Sequence, residues 1–394
     1  MIMSYLSMFW NAAGEEYLLK QSILGIIAAI VTSNMRSSSK YHALIIPLIR
    51  DSVTVDSPTR TYLLEDATDL WSKVLDQTSS SSPELTSLAG EHLFPMFTVA
   101  SETLRTALDI TESYITLIPH EILASAVSLL SALNPLLGGL KARDTYHVTN
   151  LIELLIRVAL LTDGIMGLQT FTSALLSSNT LYIILSSLQT AYEAHQTTGP
   201  NSIPSPLDPL VEIDYISILA RLAAADPQLF ISAVTAVSPL LGDGGGEPFH
   251  TTIDWLLSEW TSYIDNMGHP DRKKLSALAL TSLFTTAEPW MLSRLQELMS
   301  IWTETITELI DEESGQDTMV SHDIETGRFA GETAKDERMR HVGFEDVVRR
   351  VDIKVFVREA VQSVLQRVGV EAFQGYAANV DKDVVAAFQN LGVV

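Results

Sequence analysis

Between Glu304 and Glu325 the chain carries eight carboxylates, Glu304, Glu308, Asp311, Glu312, Glu313, Asp317, Asp323 and Glu325, and no lysine or arginine. A run of this kind attracts basic peptide over a screening distance of ~8 Å at physiological salt. The eight are therefore candidate partner-binding residues; the other reading of the run is a disordered, solvated insertion. Adjacent pairs such as Glu312 and Glu313 are too common in an acidic loop to indicate acid–base catalysis.

The remaining reactive residue types assemble no catalytic pattern. Arg272-Lys273-Lys274 offers a nuclear-localisation or phosphate patch, or three cations that are solvated or paired with acids on a neighbouring helix. The nine histidines include no H-E-x-x-H, and His92, His120 and His147 fall on separate predicted helices or turns, so no zinc site is expected. The run beginning at Gly242, GDGGG, follows a helix and lacks the G-K-[ST] ending of a phosphate loop; it reads as a linker. No G-x-S-x-G occurs, and Asp381-Lys382-Asp383 lacks the remaining ligands of a calcium loop. With no cysteine, a disulfide scaffold, a thiolate nucleophile and a cysteine-ligated metal are excluded. The expectation is a protein without catalytic residues, cofactor or metal. An all-α enzyme such as a terpenoid cyclase would need clustered aspartates that are not visible.

The elements that must carry these residues are helices. In the stretch Asp271–Leu309, Leu275, Leu278, Ala279 and Leu283 form one apolar stripe, and Leu295, Leu298, Met299, Trp302, Ile306, Leu309 and Ile310 form the next. Glu288-Pro289 divides them, with proline suited to a first helical turn. Helices are expected near 15–32, 40–54, 59–76, 83–107, 119–137, 145–162, 165–176, 179–195, 210–224, 227–241, 249–266, 271–285, 289–312, 350–368 and 381–391. Ser57-Pro58, Ser82-Pro83 and Asp226-Pro227 each place a capping side chain before a proline. Asp381 can cap the last helix and Gly392 suits its end. The six tryptophans mostly sit in apolar stripes, with one or two free to line grooves.

At 394 residues, 46% hydrophobic and net charge −23, the chain is too apolar for disorder and long enough for a large core. The acidic excess argues against nucleic acid as main partner; it favours basic protein partners or serves solubility. The most apolar windows, Ile23–Val31 and Leu151–Leu161, fall short of the ~20 residues a bilayer requires, and the opening residues lack a signal's basic region. A soluble, intracellular protein is expected.

Helix pairs recurring at very roughly 35–45 residues favour an all-α, right-handed α-α superhelix, an ARM/HEAT-type solenoid, over a single large bundle. The expected organisation is helical repeats over 1–195, a proline-rich loop over 196–209, repeats over 210–312, a disordered acidic and polar insert over 313–348, and capping helices over 349–394.

The C-terminal portion resembles the end of importin-eleven-like receptors of the importin-beta (karyopherin-beta) superfamily. The resemblance lies in DRKKLSALAL (Asp271–Leu280), the helix Trp290–Leu309, the acidic insert, VDIKVFVREAVQSVLQRVG (Val351–Gly369) and EAFQGYAANVDKDVVAAFQNL (Glu371–Leu391). It implies a monomeric nuclear transport receptor that carries cargo, basic proteins being expected, through pores of the nuclear envelope. It further implies binding to phenylalanine–glycine nucleoporins, control by the small GTPase Ran, and shuttling between nucleus and cytoplasm. Family members are much longer, with Ran-binding surface nearer their N-terminus. The chain is therefore expected to be a C-terminal part whose main Ran site precedes it. A static HEAT-repeat scaffold is the alternative, and direct binding to phenylalanine–glycine repeats separates the two.

Overall fold

The computed structural model describes residues 2–97, 102–138, 142–197, 203–242, 247–311, 313–320, 329 and 331–392. The first nine helices are α1 (Ile2–Ala12), α2 (Tyr17–Asn34), α3 (His42–Val53), α4 (Arg60–Gln77), α5 (Pro83–His92), α6 (Leu104–Leu117), α7 (Pro119–Ala124), α8 (Ala126–Leu133) and α9 (Ala142–Ser177). Next come α10 (Thr180–His195), α11 (Pro209–Ala225), α12 (Pro227–Val237), α13 (Pro248–Tyr263), α14 (Pro270–Phe284), α15 (Pro289–Leu292) and α16 (Leu295–Leu309). The chain closes with α17 (Ala334–Phe344), α18 (Val347–Arg350), α19 (Ile353–Val368), α20 (Val370–Ala377) and α21 (Lys382–Asn390). No strand occurs among the described residues; a lone antiparallel bridge joins Ile310 to Asp317.

Local chemistry explains many of the helix starts. Seven helices, α5, α7, α11, α12, α13, α14 and α15, open on proline, where the missing N–H costs nothing and φ is already helical. Ser82 accepts from Leu85 N, and Asp226 accepts from both Gln228 N and Leu229 N. Ser57 differs from expectation: α4 begins later, and Ser57 Oγ instead accepts from Thr59 N. Asp381 caps α21, and Gly392 takes a positive φ of 64° just beyond it.

The chain forms two compact units, 1–162 with 325–342, and 163–324 with 343–394. The division falls at Asp163 and Gly164, which leave helical geometry within α9 (Gly164 φ 58°), rather than at the proline-rich loop 196–209.

In the first unit α2 and α3 pack on α4, and α4 packs on α6. Trp71 of α4 donates through Nε1 to the Tyr114 hydroxyl of α6 at 2.9 Å, which donates to Leu85 O of α5 at 2.9 Å. All three residues are fully buried. One segment here, Tyr17–Val53, is long and apolar enough to cross a membrane by length and composition, which the separate windows in the sequence did not suggest. Its buried face, Ile23, Leu24, Ile27, Ala28 and Val31, belongs to the α2 helix that packs on α4.

The second unit is organised around α14, which packs against α11, α16, α18 and α19. Every residue of α14 from Lys273 to Phe284 is buried. The one-sided stripe expected there is thus a helix enclosed all round. Each fully buried leucine or phenylalanine in it contributes on the order of 1.5–3 kcal/mol relative to exposure. Trp302 of α16 donates to Thr281 Oγ1 at 2.8 Å and packs between Phe284 and Phe388.

Three expected helices are broken. The stretch 119–137 divides at Ser125 into α7 and α8. The stretch 83–107 ends as α5 at His92, passes through a 3-10 turn containing Pro95, and restarts at Leu104; proline removes an N–H donor and disfavours helix before it. The stretch 289–312 breaks at Ser293 and Arg294. There Arg294 Nη2 bonds Asp254 O at 2.9 Å and pairs with the Asp254 carboxylate.

Candidate functional surface

The basic triplet at the start of α14 meets carboxylates on its neighbours. Arg272 pairs with Asp214 of α11. Lys273 Nζ lies 2.7 Å from Glu304 Oε1 and 2.9 Å from Glu308 Oε2, both on α16. Lys274 Nζ lies 2.7 Å from Asp317 Oδ2, and both side chains are fully buried. Burial pushes the Lys274 ammonium below its ordinary range, against the pull of Asp317. The Asp317 carboxylate also accepts from Met319 N at 3.0 Å and Ile353 N at 3.2 Å, so it is satisfied on both oxygens.

This geometry corrects part of the expected partner-binding run. Asp317 is interior and tied to Lys274, because two backbone donors and a lysine draw it in; it is no surface contact. Glu304 and Glu308 remain 46% and 42% exposed, although each holds Lys273. Asp311 is exposed and accepts from Glu313 N and Ser314 N in a local turn, and Glu313 is exposed beside it. Glu312, Asp323 and Glu325 lie outside the described residues.

Beyond the carboxylate run, the insert expected to be disordered over 313–348 carries ordered structure. Residues 334–342 of α17 belong to the first unit. Arg338 donates to Thr78 O, to Leu75 O at 3.3 Å and to Thr116 Oγ1 at 3.2 Å. A cation at the C-terminal carbonyls of α4 is favourable, because those groups have no partner within the helix. Lys335 donates to Asp109 O at 3.3 Å, and Arg36 reaches Glu337 at 2.5 Å. Asp346, the cap of α18, pairs with Arg221 of α11 at 2.5 Å within the second unit. The cations that hold this segment are what its polar composition concealed.

A cleft of about 830 Å³ opens in the second unit, lined by Tyr192, Leu241, His250, Trp255, Trp290 and Arg294 among others. Trp290 is the one tryptophan of the six that is not buried. Its ring meets Phe249 edge-on at 6.0 Å, and Tyr192 lies 6.0 Å from Trp255. An aromatic wall with a half-open tryptophan suits an aromatic side chain on an extended peptide.

The fold also brings together three residues that the sequence reading left apart. His195 ends α10, Glu212 sits in the first turn of α11, and Glu259 lies on α13. His195 Nδ1 is 2.6 Å from Glu259 Oε1. Glu212 is fully buried, and neither carboxylate oxygen makes a hydrogen bond of good geometry, although the Tyr263 hydroxyl and Glu259 stand beside it. Burial, and then the neighbouring Glu259, pushes the Glu212 carboxyl up to about 8. Glu212 and Asp214 interrupt the otherwise apolar run VEIDYISILA. That interruption was the available signal, since a charge inside an apolar helix calls for a partner.

The stacked antiparallel helices define an all-α repeat solenoid. A solved structure described as Lph2, a novel bidirectional nuclear transport receptor in S. cerevisiae, shares this fold with a TM-score of 0.80 at 18% identity, over 99% of this chain and 40% of that one. A family model described as Importin-11-like, TPR repeats, matches residues 21–393, and the chain belongs to that family. Its description speaks of TPR repeats where HEAT-type pairs were expected; both are stacked helix pairs. Human importin-11 is 25% identical over 401 residues, covering 98% of this chain and 38% of the relative. The importin beta-like protein kap113 of Schizosaccharomyces pombe is 24% identical over 404 residues, covering 99% of this chain and 37% of the relative. The chain thus spans well under half the length of these relatives.

Proposed function

We propose that this chain acts as part of an importin-beta-class nuclear transport receptor, binding cargo and nucleoporins during nucleocytoplasmic protein import under Ran control. It works through surfaces rather than catalysis, and the protein shuttles between nucleus and cytoplasm. The observation that carries this reading is the match of the importin-11-like family model over residues 21–393. The aromatic cleft supports it: Trp290, Trp255 and Tyr192 line it and offer ring surface to the phenylalanines of nucleoporin repeats. Glu304, Glu308, Asp311 and Glu313 are the described carboxylates of the acidic run still exposed to a basic cargo.

The test is binding of the purified chain to immobilised phenylalanine–glycine repeats, with serine–glycine repeats as control. Retention on the first alone, reduced in Trp290→Ala, is expected. Equal behaviour on both resins would favour a static helical scaffold. Neutralising Glu304, Glu308, Asp311 and Glu313 to the amides should weaken capture of basic cargo and leave repeat binding intact. Unchanged cargo capture would remove the acidic run from the mechanism.

A further inference from the structure

We infer that His195, Glu212 and Glu259 form a binding site for one divalent transition-metal ion of the zinc class. One donor atom from each, an imidazole nitrogen and two carboxylate oxygens, lies within 4.8 Å of the others. Two of the three side chains are interior: Glu212 is 0% exposed and Glu259 3%. His195 stands at the rim with its side chain 35% exposed, leaving a route from solvent.

Glu212 carries the argument. A buried carboxylate is normally paired with a cation or saturated with hydrogen bonds, because desolvation penalises the charge heavily. Neither Glu212 oxygen makes a hydrogen bond of good geometry and no cation pairs with it; the Tyr263 hydroxyl and the Glu259 carboxyl are its polar neighbours, with His195 beyond. Two carboxylates side by side repel one another; a divalent cation between them reverses the sign of the interaction. One imidazole with two carboxylates suits Zn²⁺, whose ligand distances are about 2.0–2.2 Å. Around one ion at these distances the donors stand about 3.3 Å apart, so His195 Nδ1 and Glu259 Oε1, now 2.6 Å apart, must separate slightly while the wider pairs draw in, and the rim position of His195 allows it. Mg²⁺ and Ca²⁺ fit poorly, since they demand mainly oxygen ligands in larger number. Metal binding needs all three donors deprotonated, so affinity should rise with pH.

The consequence is mechanical. The three ligands come from α10, α11 and α13, so the ion would tie together helices on either side of the proline-rich loop 196–209. Metal would then stiffen this part of the second unit independently of any transport role.

The experiment uses the full chain, stripped with chelator and dialysed, titrated with Zn²⁺ by calorimetry and followed by thermal melting, with Mg²⁺ in parallel. One Zn²⁺ per chain and a raised Tm are expected, with no equivalent response to Mg²⁺. Glu212→Gln, nearly isosteric, should weaken Zn²⁺ binding by at least about tenfold and abolish the Tm rise. His195→Asn, at the rim, is the second variant should Glu212→Gln fail to fold; it should remove the Co²⁺ absorption bands of the loaded protein. The double variant Glu304→Gln/Glu308→Gln should leave stoichiometric binding unchanged. Absence of stoichiometric Zn²⁺ binding, or binding equal in wild type and His195→Asn, would overturn the site.

Discussion

Arg338 of α17 in the first unit and the lysines of α14 in the second are held by different devices. Arg338 grips the main-chain carbonyls Leu75 O and Thr78 O at the end of α4. In the second, the cations of α14 grip carboxylates, and one pair, Lys274 with Asp317, is fully buried. Main-chain carbonyls at a helix end exist whatever the sequence, so a cation that finds them needs no matched partner. A buried ion pair needs both members, and losing one leaves an uncompensated charge in the interior. The first device tolerates change, and the second fixes one arrangement of Asp317 between α14 and α19.

The contrast predicts an order of damage. Lys274→Met should cost the second unit about 3–5 kcal/mol, because Asp317 is left buried and unpaired. Denaturant unfolding measures it, and Lys274→Met with Asp317→Asn should recover more than half the loss. If the single change is nearly neutral, the pair is not interior. Arg338→Ala should cost about 1.5–3 kcal/mol, the range for hydrogen bonds to a charged group. The loss should show as faster amide exchange over 334–342 and at the end of α4, with α14 unaffected. Lys273→Ala should cost about 0–1 kcal/mol, since Glu304 and Glu308 are half-exposed, and the difference should vanish at high salt. A large, salt-insensitive loss would place Lys273 with Lys274 instead.

Helix boundaries were legible at most proline and capping signals, Ser57-Pro58 being the exception. Asp226-Pro227, Glu288-Pro289 and Asp381 open helices in the sequence and in the structure. Partners far along the chain were not legible. Lys273 and Lys274 read as solvated or paired with acids on a neighbouring helix; which acids was hidden, and the return of Asp317 and the approach of α16 supply them. Periodicity reports which face is apolar but not what covers the polar one. The ordered part of 313–348 escaped for the same reason. Arg338 is a polar residue in a polar stretch until Thr78 and Thr116, more than two hundred positions earlier, supply its acceptors. His195, Glu212 and Glu259 share no local spacing, so no motif could join them. Only the two acids inside VEIDYISILA hinted at a buried polar cluster.

Residues 313–320 and 334–342 are built into the folded units rather than free. Amide hydrogen exchange on the intact chain tests it most directly. Slow exchange is expected at Thr318, Met319 and residues 334–342, where backbone and side-chain partners hold the segment. Exchange there at the rate of an unstructured peptide, while α14 stays protected, would contradict it.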